Sequence, residues 1–136
     1  MITIQINPIH ADAADAIAYT GFIIKKEIGC INIIANPNFG FFKIESFRVK
    51  EKYRKTGIGR QLLDAMVHEI SKVGGGNLMV YPNSEPYEGD SYINHPNLYQ
   101  IYEHLGFVLE DPSSDKSRPN HKMILEIPSS TNEKIK

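Results

Sequence analysis

Hydrophobic and polar residues alternate with a period of two over several short stretches of the chain, as β-strands require. The apolar runs at 22–24 and 30–34 flank Lys25-Lys26-Glu27 and predict a hairpin. Residues 10–18 are rich in Ala and Asp, and predict either a short helix or a loop. The predicted strands cover residues 2–6, 22–24, 30–34, 41–49, 78–81, 107–109 and 123–127.

The apolar positions of the fourth predicted strand change parity part-way along. Phe42 and Ile44 would lie on one face of a regular strand, and Phe47 and Val49 on the other. Either both faces of this strand are buried, or one extra residue near positions 45–46 shifts the phase. The second alternative is a β-bulge, a distortion that is frequent beside functional sites.

Two segments show helical spacing instead. Residues 58–73 carry apolar residues three or four positions apart, and three glycines follow them. A strand precedes this helix and another follows it, which predicts a parallel crossover. A second helix is predicted to start near Pro96 and to end near Gly106. Its apolar stripe consists of Leu98, Ile101, Tyr102 and Leu105.

Composition narrows the class of protein. The 136 residues are 41% hydrophobic, which suits one domain, predicted here at 1–128, followed by a flexible polar tail at 129–136. The net charge of −1 argues against a broad nucleic-acid-binding face, and no apolar run is long enough to span a bilayer. A single cysteine excludes an internal disulfide framework, and the first ten residues do not resemble a signal peptide. The expectation is a cytoplasmic protein without a metal site.

The segment 54–60, Arg-Lys-Thr-Gly-Ile-Gly-Arg, has the composition of an anion site. It precedes the first predicted helix, whose first N–H groups are unpaired and whose dipole favours negative charge. Glycines allow a phosphate to approach the backbone closely, and basic side chains add charge. The alternative is a turn with a solvated basic edge, because short glycine motifs often occur without a ligand.

Two motifs in this order resemble the GNAT superfamily of N-acetyltransferases. Residues 53–63 resemble the family's pyrophosphate motif, Arg/Gln-x-x-Gly-x-Gly/Ala, and follow Phe47-Arg48-Val49 on the preceding strand. Residues 98–107 resemble the family's helix that ends in Tyr-x-x-x-Gly-Phe. The chain is thereby identified as a member of that superfamily.

The resemblance implies an α+β fold, with a mixed central sheet flanked by helices and two parallel strands that splay apart. Here the N-terminal helical region would be short. Acetyl-CoA would lie in the gap as co-substrate, with its pyrophosphate on the glycine turn. The implied cofactor-binding residues are Phe47, Arg48, Val49, Arg54, Lys55, Thr56, Gly57, Ile58, Gly59, Arg60 and Asn97. The contact at Asn97 has an alternative, since Asn94 and Asn97 flank His95 where the family often has an asparagine.

The implied reaction is direct transfer of the acetyl group to a primary amine within a ternary complex. Tyr102 matches the family position of the general acid, although it also lies on the apolar stripe of its helix. Glu45 lies where family members often carry an acidic residue, and either it or a water is the base. Cys30 has no activating partner evident in the sequence, and is expected to be an inert thiol.

The acceptor amine is not identified by the sequence. The acidic and aromatic loop residues Glu85, Tyr87, Glu88 and Asp90 suit a cationic acceptor, although most charged loops are only solvated. The short N-terminal helical region leaves the acceptor side either open or completed by a second copy of the chain. The alternative function is a non-catalytic acyl-CoA-binding or interaction module with the same fold.

Overall fold

The computed structural model describes residues 5–6, 18–23, 28–36 and 39–130. Predictions for residues 2–4, 10–17 and 131–136 fall outside this part of the chain. The described strands are β1 (Gln5–Ile6), β2 (Ala18–Ile23), β3 (Gly29–Asn36), β4 (Phe41–Val49), β5 (Gly76–Val80), β6 (Val108–Leu109) and β7 (Met123–Ile127). The described helices are α1 (Ile58–Lys72) and α2 (His95–His104), and a 3-10 turn spans Glu51–Tyr53.

The described strands form one mixed sheet in the order β1-β2-β3-β4-β5-β7-β6. Among the described strands only the β4–β5 pair is parallel, and α1 provides the crossover between these two strands. The predicted hairpin is confirmed as β2–β3, although β2 begins earlier than its apolar run suggests. The reason is that β3 continues far enough to pair Ala35 with Ala18. The predicted α+β class is therefore confirmed.

The change of parity in β4 is a β-bulge, as one of the two alternatives predicted. Asn32 of β3 pairs with Ser46, whereas the next residue, Ile33, pairs with Ile44. Glu45 is the extra residue between them and has no partner in the register. One inserted residue reverses the facing of every later side chain, because the side-chain period of a strand is two.

The bulge places four of the apolar side chains of β4, those of Phe42, Ile44, Phe47 and Val49, on the face that α1 covers. Phe42 and Ile44 are buried there. Phe47 and Val49, beyond the bulge, lie against the start of α1, since a Cβ on Gly59 would be 3.7 Å from each of their side chains. The bulge alone thus explains the change of parity, and the alternative prediction, that both faces of β4 are buried, is not needed.

The parallel strands β4 and β5 separate at the bulge. Their pairing runs only from Phe41 with Asn77 to Lys43 with Met79, although β4 continues to Val49. The predicted splay is thus confirmed, and its fork lies at Lys43. The gap opens beyond this residue.

The two helices match their predicted spans closely, but the stripe on α2 is rotated. Leu98 and Tyr102 are buried as predicted, and so is Tyr99, whereas Ile101 is 43% exposed. Tyr99 is buried because its hydroxyl donates to the carbonyl of Arg118 at 2.7 Å and holds the loop before β7. In the described residues no helix is long and apolar enough to cross a membrane.

Candidate functional site

The start of α1 presents unpaired backbone N–H groups. Gly57 is the N-cap residue with φ +88°, and no side chain caps the helix. A positive φ favours glycine. The space around Gly57 is open, since a Cβ built on it would meet nothing within 4 Å. This helix terminus can therefore accept an anion close to its backbone.

Three basic residues surround this terminus. The Arg54 guanidinium donates to the carbonyl of Val49 at 3.1 Å and to that of Ser91 at 3.2 Å. Arg60 donates to the carbonyl of His104 at 2.9 Å, which ties the start of α1 to the end of α2. Lys55 is exposed, and in the described part of the chain its ammonium has no ion-pair partner. All three contribute positive potential at the terminus.

A cavity of about 800 Å³, here called the long cleft, runs from this terminus along β4 to α2. Most of the predicted cofactor-binding residues line it: Phe47, Arg48, Val49, Arg54, Lys55, Gly57, Gly59, Arg60 and Asn97. Thr56 and Ile58 do not. The Thr56 hydroxyl donates to the carbonyl of Tyr53, and Ile58 is buried in the core.

The amide groups at the start of α2 have separate roles. The Asn94 side chain caps the helix by accepting from the backbone N–H of Asn97 at 3.0 Å. Asn97 lines the long cleft, whereas Asn94 does not. Binding of a ligand by Asn97 stays a prediction.

A second cavity of about 410 Å³, here called the side cavity, opens at the fork of the splayed strands. Its lining includes Lys43, Glu45, Ser46 and Tyr81. The long cleft and the side cavity share four lining residues, namely Phe47, Asn83, Glu85 and Tyr102. The two cavities therefore meet in the gap between β4 and β5.

Tyr102 lies at this junction. The residue is only 7% exposed, and its ring packs edge-on against Phe47 and Phe107 at centroid distances of 6.2 and 5.4 Å. Burial raises the pKa of Tyr102, and the negative charge of Glu85 raises it further. The phenol is thus protonated at neutral pH and can donate a hydrogen bond.

Glu45, the bulged residue, projects into the side cavity. Its carboxylate lies 3.7 Å from the ammonium of Lys43. That ammonium also lies 5.3 Å from the ring centroid of Tyr81, within range of a cation–π contact. A carboxylate in this position is available to a group entering the cavity.

The predicted acceptor loop divides into one cavity residue and three others. Glu85 lines both cavities, whereas Tyr87, Glu88 and Asp90 line neither. The ring of Tyr87 packs against the guanidinium of Arg48. The pKa of Tyr87 is raised to about 12, mainly by burial and secondly by the nearby Cys30. The substrate roles of these residues stay predictions.

Asp90 helps to hold the loop after β5 against the segment that follows β4. Its carboxylate accepts from the backbone N–H of Glu51 at 2.8 Å. The carboxylate of Glu51 in turn accepts from the N–H of Ser91 at 3.0 Å. Hydrogen bonding by the side chain of Ser91, and then by this N–H, lowers the pKa of Glu51. The loop is thereby held along the long cleft.

Several lining residues had no signal in the sequence. They come from the 3-10 turn after β4, from the loop after β5 and from α2 with its C-cap. Only Ile101 and Leu105 could have been suspected, because apolar residues beside a predicted site often line it. The residues missed in the long cleft are Glu51, Tyr53, Asn83, Ser84, Pro86, Ile93, Leu98, Gln100, Ile101 and Leu105.

The described residues contain no group of three or more His, Cys, Asp or Glu side chains arranged to hold a metal ion. Cys30 lies on β3, with the hydroxyl of Tyr87 4.0 Å from its sulfur. It lines neither cavity.

Comparison with known proteins gives one family and a set of structural neighbours. The model of the acetyltransferase (GNAT) domain matches residues 16–109, more than half of the chain. No curated protein sequence matches.

Three solved structures illustrate the neighbours. Nourseothricin acetyltransferase is similar with a TM-score of 0.60 and 17% identity, over 81% of this chain and 66% of that one. Aminoglycoside 6'-N-acetyltransferase complexed with coenzyme A has a TM-score of 0.59 and 19% identity, over 80% and 73%. The ribosomal-protein-S18-alanine N-acetyltransferase from Escherichia coli has a TM-score of 0.57 and 18% identity, over 85% and 72%. Similarity at these identities concerns the fold.

Proposed function

Because this chain belongs to the GNAT acetyltransferase family, we propose that it transfers the acetyl group of acetyl-CoA to a primary amine. The observation that carries the proposal is the junction of the two cavities at Tyr102. One cavity begins at a helix terminus that can accept an anion, and carboxylates line the other. Their meeting point is where a thioester from one side and an amine from the other would react.

The long cleft suits coenzyme A by its charge and its lining. The pyrophosphate would lie on the N–H groups of residues 57–60, beside Arg54, Lys55 and Arg60. The pantetheine arm would follow β4, whose edge beyond Lys43 has no partner in β5. The neighbour that was solved with coenzyme A shares this fold.

The side chains at the junction supply the proton transfers of the reaction. The amine must lose a proton before it attacks, and Glu45 or a water next to it would accept that proton. The departing thiolate needs a donor, and the phenol of Tyr102, protonated at neutral pH like any phenol, can supply the proton. Direct attack needs no enzyme nucleophile, which agrees with the position of Cys30 outside both cavities.

The acceptor would enter through the side cavity. Glu45 and Glu85 line this cavity, and Lys43 is its only lysine or arginine in the described part of the chain. Carboxylates at a site favour an ammonium group. The names of all three neighbours describe acetyltransferases, and two of them specify transfer to nitrogen, which supports an amine acceptor as a class.

The first experiment is calorimetric titration of the protein with acetyl-CoA, with coenzyme A as the control ligand. Micromolar binding is expected. Absence of binding at millimolar acetyl-CoA would contradict the proposal. If binding occurs, amines of different classes are then screened for release of free coenzyme A.

Replacement of Tyr102 by Phe tests the chemistry. We expect kcat to fall by about 100-fold, the order expected for loss of a general acid, while acetyl-CoA affinity is kept. Stability should change little, because no described residue hydrogen-bonds to the Tyr102 hydroxyl.

Tyr99 provides a matched control on the same helix. Its hydroxyl donates to Arg118 at 2.7 Å and accepts from the N–H of His121 at 3.1 Å, and it lines neither cavity. Tyr99→Phe should therefore lower stability by about 1–3 kcal/mol and leave kcat unchanged. An unchanged kcat in Tyr102→Phe would remove Tyr102 as the acid. Binding of acetyl-CoA without turnover of any amine would favour the alternative, a non-catalytic module.

A further inference from the structure

The side cavity already contains a primary amine of the protein itself. Lys43 is the last residue of β4 that pairs with β5, so its side chain starts at the fork from which the gap opens. Lys43 is also the only lysine among the described residues that line this cavity. A thioester that reached Tyr102 through the long cleft would therefore face a lysine amine across the junction.

The surroundings of the Lys43 ammonium are those an acceptor amine requires. The carboxylate of Glu45, the proposed base, lies 3.7 Å away. The ring of Tyr81 covers the ammonium at 5.3 Å without enclosing it, and the side chain remains 36% exposed. The Lys43 side chain has four flexible methylene groups, and its one ion pair is partly exposed and weak. It can therefore change rotamer and bring its amine toward the junction.

We propose that the protein acetylates itself at Lys43 when acetyl-CoA is bound and no external amine occupies the side cavity. This inference rests on the proposed function, because it uses the same cleft, base and acid. It adds a modification site and an internal substrate to them.

The step balances as an ordinary acyl transfer. The Lys43 ammonium gives a proton to Glu45, and the free amine attacks the thioester carbonyl carbon. The carbon–nitrogen bond forms, the carbon–sulfur bond breaks, and the sulfur leaves with a proton from Tyr102. The nitrogen loses its second proton on forming the amide, and that proton restores the phenol of Tyr102, while Glu45 releases the first proton to solvent. The products are acetyl-lysine, free coenzyme A and one proton released to solvent. No oxidant or further reactant is needed.

The chain offers an internal control for non-enzymatic acetylation. Lys116 pairs with Glu103 at 3.2 Å, and the side chains of this pair are 42% and 42% exposed, against 36% and 43% for Lys43 and Glu45. Lys116 lines neither cavity. A chemical reaction in solution should therefore modify Lys116 at least as fast as Lys43.

The test is incubation of the purified full chain with acetyl-CoA alone, followed by intact-mass measurement and peptide mapping. We expect one acetyl group at Lys43, with an initial rate at least about tenfold above that at Lys116, because a held amine has a high effective concentration. The rate per molecule should not depend on protein concentration. Lys43→Arg should abolish the modification, Lys116→Arg should not, and Tyr102→Phe should slow it.

Three results would overturn the inference. They are equal rates at Lys43 and Lys116, an unchanged rate at Lys43 in Tyr102→Phe, and a rate that rises with protein concentration, which would indicate transfer between copies. The same samples are titrated with acetyl-CoA and assayed for turnover of added amines. Turnover without Lys43 modification refutes only this inference, whereas absence of acetyl-CoA binding refutes the proposed function as well.

Discussion

Replacement of Gly57 by Glu puts a negative charge where the pyrophosphate is proposed to lie. The structure makes this a clean perturbation, because a Cβ on Gly57 would meet nothing within 4 Å. A Cβ can therefore be added at this position without displacing a neighbour. The residue has φ +88°, so any non-glycine residue is strained there by about 1–2 kcal/mol. Gly57→Gln has the same strain and nearly the same volume without the charge, and is the matched control.

The magnitude follows from the charges at the helix terminus. A carboxylate within about 4–6 Å of a phosphate oxygen, at a half-exposed site, costs about 1–3 kcal/mol of binding free energy. We therefore expect Gly57→Glu to raise the Kd for acetyl-CoA roughly 5- to 150-fold above that of Gly57→Gln. The strain at this residue is the same in both variants and cancels in the comparison.

The assay is calorimetric titration of wild type, Gly57→Gln and Gly57→Glu with acetyl-CoA at low and high salt. The difference between the two variants should shrink as salt is raised, since the screening length falls from about 10 Å at 0.1 M to about 3 Å at 1 M. Circular dichroism checks that both variants are folded. Equal Kd values for Gly57→Glu and Gly57→Gln at low salt would refute the assignment of this helix terminus to the pyrophosphate.

Two further predictions concern stability and pH. Phe42 is fully buried in the core, so Phe42→Ala should lower the free energy of unfolding by about 3–5 kcal/mol; a loss below about 1 kcal/mol in chemical denaturation would contradict the described packing. The side chain and the backbone N–H of Ser91 both hydrogen-bond to the carboxylate of Glu51, and they lower the pKa of that carboxyl below its ordinary 4.5. The hydrogen bonds between the Glu51 carboxylate and Ser91 therefore stabilise the loop fully above the pKa that Glu51 has in the unfolded chain. This stabilisation is lost as pH falls through the lower pKa that Glu51 has in the folded protein. The amide signal of Ser91 should therefore titrate with a midpoint below 4.5, and a midpoint at or above that value would contradict the contact.

The strand before the glycine turn and the helix after it were predictable, because the apolar pattern and the glycines indicate the same boundaries. The parity change in β4 left two interpretations, and the observed register selects the bulge at Glu45. The span of α1 followed from a regular apolar stripe and the glycines after it. These are local signals, which a sequence carries without knowledge of the tertiary contacts.

The rotation of α2 and the lining of the cavities depend on tertiary contacts, and they were less predictable. Periodicity does not distinguish an apolar residue in the core from one that lines a cleft, and so Ile101 was assigned to the buried stripe. Tyr99 is buried because of hydrogen bonds to a distant loop. In the acidic loop, composition could not separate Glu85, which lines both cavities, from Asp90, which caps the backbone of Glu51.

The bulge at Glu45 connects the stability of the fold to the geometry of the site. The inserted residue reverses the facing of the strand, so that Phe47 and Val49 pack under the start of α1. The pairing between β4 and β5 ends just before the same residue, and the gap begins there. Because Glu45 has no partner in the register with β3, its side chain can point into the side cavity without the loss of a core contact. One extra residue thus positions the start of α1 at one end of the long cleft. The same residue places the carboxylate of Glu45 in the side cavity, which meets the other end of that cleft. The start of α1 and the carboxylate of Glu45 are therefore both positioned by β4. A shift in the register of this strand would move both of them together.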